Sequence, residues 1–450
     1  MAGNKKKKNR RKPDAGTIIF RAVGIELAVI AAVLVILGIV FVPRILNSFG
    51  VSIPELLGLS DSSETEAPTG ATQVASLTTA AGDAAESAAE PETEDNTPEE
   101  QIAQISLMAV GDNLMRRSGT LSGLQSDGTY SYYDNFVNMR NAFRSADLTV
   151  LSQDTVMAGT EYGVTEGDLY TTGTEIGESM VDAGINVITA ANNHIMDMGA
   201  DGLNNMINYW HSTYPQVTLL GVNQSGSSQT SPVVIDVSGV KVAMINYTTL
   251  SNETDALDSE PYLVNLYDED WLADIVSQCS ESADFIVAFP HWGHDSGTDI
   301  ADEETEQAQL LADLGVDLVI GNGTGAAQPA EWIQGSGGNY TLVYYSLGDF
   351  QSTEEKTENM LGGQATITIT KTNKRTYISS CSLGFTVTQY SDQTDEGYFS
   401  TVTTFPWSDY LEEMAADHGI LAWEPDFSYD ALDDLRKAVL KKSDLTIPEE

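Results

Sequence analysis

Residues 187–202 read VITAANNHIMDMGADG and contain the most informative pattern in the chain. An apolar, β-type run stops at two amides and an imidazole, and a glycine-containing turn then leads into a helix-like segment. Open α/β sheets keep their chemistry at the carboxyl ends of strands, which is where Asn193 and His194 fall. Both side chains are credible metal ligands or transition-state contacts. The alternative is a turn whose asparagine caps the next helix.

Net charge and cysteine content exclude some classes of binding partner and of metal site. The chain has 450 residues and a formal net charge of -44, and seven of its 22 basic residues lie within residues 5–12. The remainder is strongly acidic and would repel nucleic acid, so we expect no nucleic-acid partner. Two cysteines far apart, Cys279 and Cys381, exclude a zinc–thiolate site and a disulfide framework; one disulfide or two separate thiols both stay open.

The amino-terminal part has the pattern of a membrane anchor. Residues 1–16 are polar and basic, residues 17–45 are apolar, and the run 27–42 is uninterrupted. About 20 apolar residues suffice to cross a bilayer as a helix. By the positive-inside rule the basic tail stays in the cytoplasm, so we expect a single-pass protein of the cell membrane with its main domain outside. A cleaved signal peptide is the competing interpretation.

Composition divides the remaining chain into three parts. Residues 46–103 are an acidic, Ser/Thr/Ala/Glu-rich linker that cannot bury enough apolar surface to fold, so we expect a disordered spacer. Residues 104–404 form the predicted folded domain. Residues 405–450 are an acidic, helical extension, either packed on the domain or loosely attached.

The folded part predicts a sheet-rich α/β architecture, with helices alternating with strands early and antiparallel strands late. The predicted strands are 105–110, 148–151, 186–190, 217–220, 233–237, 240–247, 284–289, 317–320, 342–345, 365–370 and 377–388. The predicted helices are 175–183, 203–211, 271–279 and 303–314, followed by 410–417 and 429–441 in the extension.

Four predicted strand ends carry polar groups suited to a metal ion. Asp112 and Asp154 follow the first two, His194 the third, and His291 and His294 the fourth, although the whole chain has only five histidines. Mn²⁺, Fe²⁺ and Zn²⁺ accept this mixture of oxygen and nitrogen donors and can activate water toward a phosphoester or amide. Each histidine has the alternative of a hydrogen-bonded loop residue, which we favour for His294.

In chain order the motifs are Gly111-Asp112, residues 147–154, Ala191-Asn192-Asn193-His194 with Asp197 and Gly199, His291-Trp292-Gly293, Gln307, Gly315-Val316-Asp317, Gly321, Gln328-Pro329 and Tyr345-Ser346-Leu347-Gly348-Asp349-Phe350. This order resembles the poly-gamma-glutamate capsule biosynthesis family (CapA/PgsA-type), which is related to calcineurin-like metallophosphoesterases. The resemblance implies a four-layer α/β/β/α metallophosphatase-like sandwich. It also implies a membrane-anchored extracellular protein of polyglutamate synthesis or export.

The chain departs from that family at two motifs. Where the family has Asn-Leu-Glu, this chain has Ser152-Gln153-Asp154. Where the family has Gly-His-His-Pro-His, residues 321–325 read GNGTG, so Gly323 and Gly325 replace two histidine ligands. The resemblance therefore implies a degraded metal site.

The resemblance carries over a set of site residues. It implies Asp112, Asp154, Asn193 and His291 as ligands of one divalent ion (Mn, Fe or Zn) or of none, with His294 and Asp349 as substitute ligands. It implies a catalytic role for His194 and Asn193. The ligand-binding residues proposed on this basis are Trp292, Gly321, Gly323, Gly325 and Ser346.

Three functions stay open at this point. The preferred one is assembly, export or attachment of an anionic polymer such as poly-γ-glutamate, with membrane synthase subunits as partners. The second is an active extracellular metal-dependent phosphoesterase or amide hydrolase. The third is a non-catalytic module that binds the polymer or a cell-wall component.

Overall fold

A computed structural model describes residues 102–448 except 166, 168 and 294–296. The predicted basic tail, the apolar segment and nearly all of the linker lie outside the described residues, as does His294. Within the described part of the chain, no helix is both long and apolar enough to cross a bilayer.

The strands confirm the sheet-rich prediction and add three to it. They are β1 (Ala103–Leu114), β2 (Leu148–Ser152), β3 (Val187–Thr189), β4 (Thr218–Leu220), β5 (Val233–Val237), β6 (Val240–Thr248), β7 (Phe285–His291), β8 (Leu318–Ile320), β9 (Ala330–Gln334), β10 (Tyr340–Tyr344), β11 (Asp349–Ser352), β12 (Leu361–Lys371), β13 (Thr376–Gln393) and β14 (Phe399–Pro406). Strands β9, β11 and β14 are the ones that the sequence pattern did not predict.

The six predicted helices lie close to their predicted positions, and four further short helices, between residues 117 and 229, were not predicted. They are α1 (Arg117–Ser122), α2 (Tyr133–Phe136), α3 (Arg140–Phe143), α4 (Glu175–Ala183), α5 (Gly199–Thr213), α6 (Gly226–Gln229), α7 (Glu269–Ser282), α8 (Asp302–Leu314), α9 (Glu412–Ala416) and α10 (Tyr429–Lys442). Short 3-10 helices cover Thr160–Tyr162, Thr357–Met360, Trp407–Asp409 and Gly419–Ala422.

Two sheets form the centre of the domain. The first has the order β14-β13-β12-β1-β2-β3-β4, with β11 pairing with the end of β1. Strands β1 to β4 are mutually parallel, whereas β12 to β14 are antiparallel. The second sheet has the order β5-β6-β7-β8-β10-β9, with β6, β7, β8 and β10 parallel. The early parallel and late antiparallel character predicted from the sequence is confirmed.

Three hydrophobic cores separate four layers. In β1, Leu107 and Ala109 belong to the core between the sheets, and Met108 and Val110 to the core under α4 and α5. This two-residue alternation is what a strand covered on both faces requires. A third core packs the outer face of the second sheet, including Ile245, against α7 and α8. The resulting layer order is helices, sheet, sheet, helices.

Residues 405–450 pack on the antiparallel half of the first sheet. Tyr410, Ile420 and Leu432 are buried in the same core as β12 and β13. The Ser443 hydroxyl oxygen accepts a hydrogen bond from the backbone N–H of Ala330. Burial of these apolar side chains ties the extension to the sheet that carries the site. The two cysteines, Cys279 and Cys381, are unpaired.

Candidate metal centre

Polar side chains from both sheets meet at one rim of the domain. Asp112 lies near the end of β1, Asp154 follows β2, Asn193 follows β3, and His291 is the last residue of β7. These strands are parallel within each sheet, so their carboxyl ends point to a common edge. Asp349 reaches the same rim because β11 pairs with the end of β1, placing Asp349 directly opposite Asp112.

Glycine permits this pairing of two aspartates. A Cβ atom at Gly111 would lie 1.8 Å from the Gly348 carbonyl oxygen, so no larger residue fits there. The backbone N–H of Asp112 donates to that same oxygen at 2.8 Å. The register of β1 also shifts on both sides of Asp112, and this irregularity turns its side chain toward the rim.

Asp112, Asp154 and His291 form a compact, buried group. Each offers a ligand atom, and these atoms all lie within 4.8 Å of one another. The His291 Nδ1 atom lies 3.6 Å from Asp112 Oδ1, and Nε2 lies 3.8 Å from Asp154 Oδ1. The amide oxygen of Asn193 lies 2.9 Å from His291 Nε2. These four residues are the ligand set that the resemblance implied.

Electrostatics favour a cation at this point. Burial raises the pKa of Asp112 to about 7, against opposing hydrogen bonds from Ser152 and from the Gly323 N–H. Burial, and then the neighbouring Asp112 charge, raise the pKa values of Asp154 and Asp349 well above the usual range. Asp112 Oδ1 and Asp154 Oδ1 are buried without a hydrogen-bond partner. Because a divalent ion would satisfy both oxygens, these residues fit a metal.

The glycine-rich turn at residues 321–325 contacts this group through its backbone, at the positions where the family has histidine side chains. The Gly323 N–H donates to Asp112 Oδ2 at 2.8 Å, which leaves Oδ1 for a ligand. Gly323 has φ +93°, and a Cβ atom there would meet His291 Cδ2 at 2.8 Å. The turn therefore holds the Asp112 carboxylate through a backbone N–H.

A second histidine lies beside the group. His194 Nδ1 is 2.8 Å from Asp197 Oδ2, and that oxygen also accepts the Tyr170 N–H at 2.7 Å. The Tyr170 ring packs 4.5 Å from the imidazole, centroid to centroid, and the Asn252 amide nitrogen lies 3.1 Å from Nδ1. These contacts fix the orientation of the His194 imidazole at this rim.

The four candidate ligands, His194 and Asp349 line one cavity of about 180 Å³. Its lining comprises Asp112, Leu114, Asp154, Asn193, His194, His291, Gly293, Gly323, Gly325, Asp349, Glu354, Lys356 and Asn359. Asn359 donates to Asp349 Oδ2 at 3.1 Å and to the Gly325 carbonyl at 2.9 Å, which fixes the side of the cavity formed by β11.

Three residues proposed from the sequence as ligand-binding lie behind this cavity. Trp292 is 1% exposed, and its indole N–H donates to the Tyr345 carbonyl at 2.6 Å. The Ser346 hydroxyl accepts the Gly348 N–H and supports the turn before Asp349. At Gly321 a Cβ atom would lie 2.0 Å from the Tyr345 carbonyl oxygen. Each of the three shapes the backbone that carries the site.

Glu354, Lys356 and Asn359 were not identified from the sequence. They follow β11 in a turn and a 3-10 helix, where no periodic pattern marks them. Asp197 was noted only as part of a motif. Its spacing of three residues from His194 within a turn was the signal that the two side chains could meet.

More than half of the chain matches one known protein family. The model of the family "Bacterial capsule synthesis protein PGA_cap" matches residues 106–354. The PGA biosynthesis protein CapA of Bacillus subtilis (strain 168) is 26% identical over 170 residues, which are 38% of this chain and 43% of that protein. The capsule biosynthesis protein CapA of Bacillus anthracis is 25% identical over 179 residues, covering 38% and 41%. The matched region is thus less than half the length of each of these relatives.

Two solved structures are among those to which this chain is similar. The NAD nucleotidase NadN of Haemophilus influenzae is 11% identical, with 78% of this chain and 65% of that chain covered and a TM-score of 0.39. The calcineurin-like phosphoesterase YfkN of Bacillus subtilis is 11% identical, with 75% and 100% covered and a TM-score of 0.36.

Proposed function

This chain belongs to the family of bacterial capsule synthesis proteins (PGA_cap), and we propose that it acts in the synthesis, export or attachment of an anionic cell-surface polymer. Poly-γ-glutamate is our candidate polymer, since a relative carries the name PGA biosynthesis protein. In this proposal the apolar segment 17–45 anchors the chain in the cell membrane and the folded domain lies outside. The basic residues 5–12 before that segment support this orientation.

The proposal includes one divalent metal ion, and one observation carries this part. Asp112 and Asp154 each bury a carboxylate oxygen without a hydrogen-bond partner, within 4.8 Å of His291. Asp112, Asp154, Asn193 and His291 would hold Mn²⁺, Fe²⁺ or Zn²⁺. When bound, the ion would polarise a carbonyl or phosphoryl oxygen of the substrate. Gly323 and Gly325 bring no ligand side chain, so a single ion fits this donor set better than a pair.

The chain's own groups supply positioning and proton transfer. His194 is held by Asp197, with 12% of its side chain exposed toward the cavity. An imidazole oriented in this way can give a proton to a leaving nitrogen or oxygen at its free ring atom. Lys356 supplies positive charge to the lining beside Glu354. An anionic substrate can therefore enter a cavity whose floor is acidic, provided that the cation is in place.

The second candidate function is hydrolysis of a phosphoester or amide outside the cell. The hydrogen bond between His194 and Asp197 favours it. An imidazole that a carboxylate orients beside a cavity able to hold a metal ion is typical of a catalytic site. A non-catalytic module that binds the polymer or a cell-wall component is the third, and the same test addresses it.

The test uses the purified full chain loaded with Mn²⁺. Metal content is measured by mass spectrometry, and hexameric γ-linked glutamate and an aryl phosphate ester are supplied as substrates. We expect one metal ion per chain and metal-dependent turnover of the glutamate oligomer. The rate of this turnover should fall about 100-fold or more in His194→Ala. The ester as sole substrate would favour the second function. Oligomer binding without turnover would favour the third, and a chain that takes up no metal would contradict the first two.

A further inference from the structure

The four candidate ligands come from two different sheets. Asp112, Asp154 and Asn193 lie at or just after the ends of β1, β2 and β3 in the first sheet, whereas His291 ends β7 in the second. The Asn193 amide oxygen nevertheless lies 2.9 Å from His291 Nε2. A metal ion that binds all four residues therefore requires the rims of the two sheets to be held at one fixed separation.

Within the first sheet, buried amides join the ligand-bearing segments to one another. Asn113, Gln153 and Asn192 are fully buried, and each is the sequence neighbour of a candidate ligand. The Asn113 side-chain nitrogen donates to Gln153 Oε1 at 2.8 Å, and the Asn192 side-chain nitrogen donates to the Gln153 carbonyl at 2.8 Å. These bonds fix the three ligands of the first sheet relative to one another, but they do not reach β7.

Asn246 connects the two sheets near the metal centre. It lies on β6, is 3% exposed and does not line the cavity. Its side-chain oxygen accepts the backbone N–H of Ala191 at 2.7 Å and shares that of Ala190, at 3.0 Å, with the Leu220 carbonyl. Its side-chain nitrogen donates to the Phe289 carbonyl, near the end of β7, at 2.8 Å. One amide thus bonds the carboxyl ends of β3 and β7.

The partners of Asn246 determine which side chain can make this connection. Two N–H groups require an oxygen and a carbonyl group requires a nitrogen, so neither a carboxylate nor an apolar side chain can make all three bonds. The space for the amide depends on Gly221, because a Cβ atom there would lie 2.1 Å from the Asn246 oxygen. The amide is held rigidly, since each lost bond would leave a buried polar group without a partner.

We propose that Asn246 is a positioning residue of the metal centre, which sets the separation between Asn193 and His291 through the backbones of β3 and β7. The inference rests on the proposed function, because it requires a metal ion bound by those two residues. Asn246 contacts neither the ion nor the substrate, so it acts on metal affinity and on coordination geometry. A merely structural amide would contribute to folding stability and leave both of these unchanged.

The principal experiment measures the Mn²⁺ affinity of the full chain by calorimetry and the visible absorption spectrum of the Co²⁺-loaded chain, which reports coordination geometry. In Asn246→Ala we expect about 10- to 100-fold weaker Mn²⁺ binding and an altered Co²⁺ spectrum, because groups that orient ligands have effects of this size. Asn246→Asp keeps the acceptor oxygen and loses the donor to Phe289, so its loss of affinity should be smaller.

Asn186→Ala is the matched control. Asn186 lies just before β3, at the opposite end of that strand. Its side-chain oxygen accepts the Thr149 N–H at 2.8 Å, and its nitrogen donates to the Asp147 carbonyl at 2.9 Å. Because this amide also bonds two backbones but does not line the cavity, the variant should melt at a lower temperature and keep its Mn²⁺ affinity and Co²⁺ spectrum.

Hydrogen exchange in the unsubstituted chain provides a test that does not depend on the folding of a variant. Mn²⁺ should slow exchange of the Ala191 amide more than that of the Thr149 amide, because opening of the Asn246 bonds would also release the ion. Equal slowing at both amides would overturn the inference.

Two outcomes separate this inference from the proposed function. Unchanged Mn²⁺ affinity and an unchanged Co²⁺ spectrum in both Asn246 variants would overturn the inference alone and leave the metal centre standing. An unsubstituted chain that binds no Mn²⁺ would overturn the metal part of the proposed function, and the inference with it.

Discussion

The two ends of the parallel strands carry chemically similar polar residues that differ in their hydrogen bonding. At the amino ends of four strands, β2, β3, β7 and β8, the residue just before the strand accepts a backbone N–H from the neighbouring strand at 2.8 Å: Asp147 from Ser106, Asn186 from Thr149, Asp284 from Lys241 and Asp317 from Ile286. At the carboxyl ends, Asp112 and Asp154 keep a buried oxygen without a partner. The carboxylates and the amide at the amino ends hold neighbouring strands together, whereas the two carboxylates at the carboxyl ends each keep an oxygen for a ligand.

Burial and pKa alone do not distinguish these two roles. Burial raises the pKa of Asp317 to about 7, the same value as for Asp112. What separates them is the surroundings, because Asp112 has Asp154, Asp349 and His291 within the same cavity lining. A perturbed carboxylate therefore indicates a functional site only when its acceptor positions are unfilled and other ligands converge on it.

The largest expected effect is on metal affinity. Asp112→Asn should weaken Mn²⁺ or Zn²⁺ binding on the order of 100-fold or more, because it removes a charged ligand. Asp317→Asn, at the amino end, should leave metal affinity unchanged. Calorimetric titration of both variants provides the measurement. A similar loss in both would show that the contrast between the two ends has no functional meaning.

The next effect is on stability as a function of pH in the metal-free protein. The folded pKa of Asp112, about 7, lies above its ordinary value of 3.8, so the folded state holds an extra proton between those values. Stability is therefore greatest below about pH 4 with respect to this group and falls as the pH rises toward 7, by about 1.4 kcal/mol per pH unit for each such proton.

Asp112→Asn should remove part of this slope and raise the melting temperature of the metal-free protein at pH 7 and above. Melting curves from pH 4 to 8 with a chelator provide the measurement. Adding metal should reverse the slope in the unsubstituted protein, since protons compete with the ion for the carboxylate. A slope that Asp112→Asn leaves unchanged would contradict the assignment of the proton to this residue.

A comparable change in stability, without any change in metal affinity, is expected at the amino ends. Asp317→Ala leaves the Ile286 N–H without its acceptor in a buried position, which should cost about 1–3 kcal/mol of unfolding free energy. Urea unfolding measures this cost. If the variant lost metal as well, the two ends would be coupled rather than distinct.

The smallest effect is expected at the turn that closes the centre. Gly323→Ala should destabilise the fold by about 1 kcal/mol because of its positive φ, and the added Cβ should displace His291 and weaken metal binding several-fold. Gly338→Ala is the matched control, since Gly338 has a similar φ of +86° and nothing within 4 Å of its Cβ position. Equal metal affinity in the two variants would show that the turn has no role in metal binding.

Much of this arrangement could be predicted from the sequence. The pattern placed β5 and α4 at their observed bounds, because their alternation and helical periodicity are strong. Asp112, Asp154, Asn193 and His291 could be grouped because each follows a strand, and the ends of parallel strands share an edge. Asp349 was suggested as a ligand, and it does line the cavity.

The rest could not be predicted, because it depends on contacts between distant segments. Strand β11 is short and polar, and it forms only by pairing with the end of β1. Trp292 follows a candidate ligand directly, yet its indole is buried and bonded to the Tyr345 carbonyl, which spacing does not reveal. Asn246 joins the ends of β3 and β7, and no local pattern connects these positions.

The pairing of Asp112 with Asp349 has a consequence for the order of assembly of the protein. Two halves of the centre come from opposite ends of the domain sequence, so the chain must close its longest loops before a metal ion finds its ligands. A nascent or truncated chain that lacks β11 would keep the four proposed ligands but would lack Asp349 and the strand that pairs with the end of β1. A metal ion would therefore bind after folding, and in the proposed location it would come from the cell exterior rather than from the cytosol.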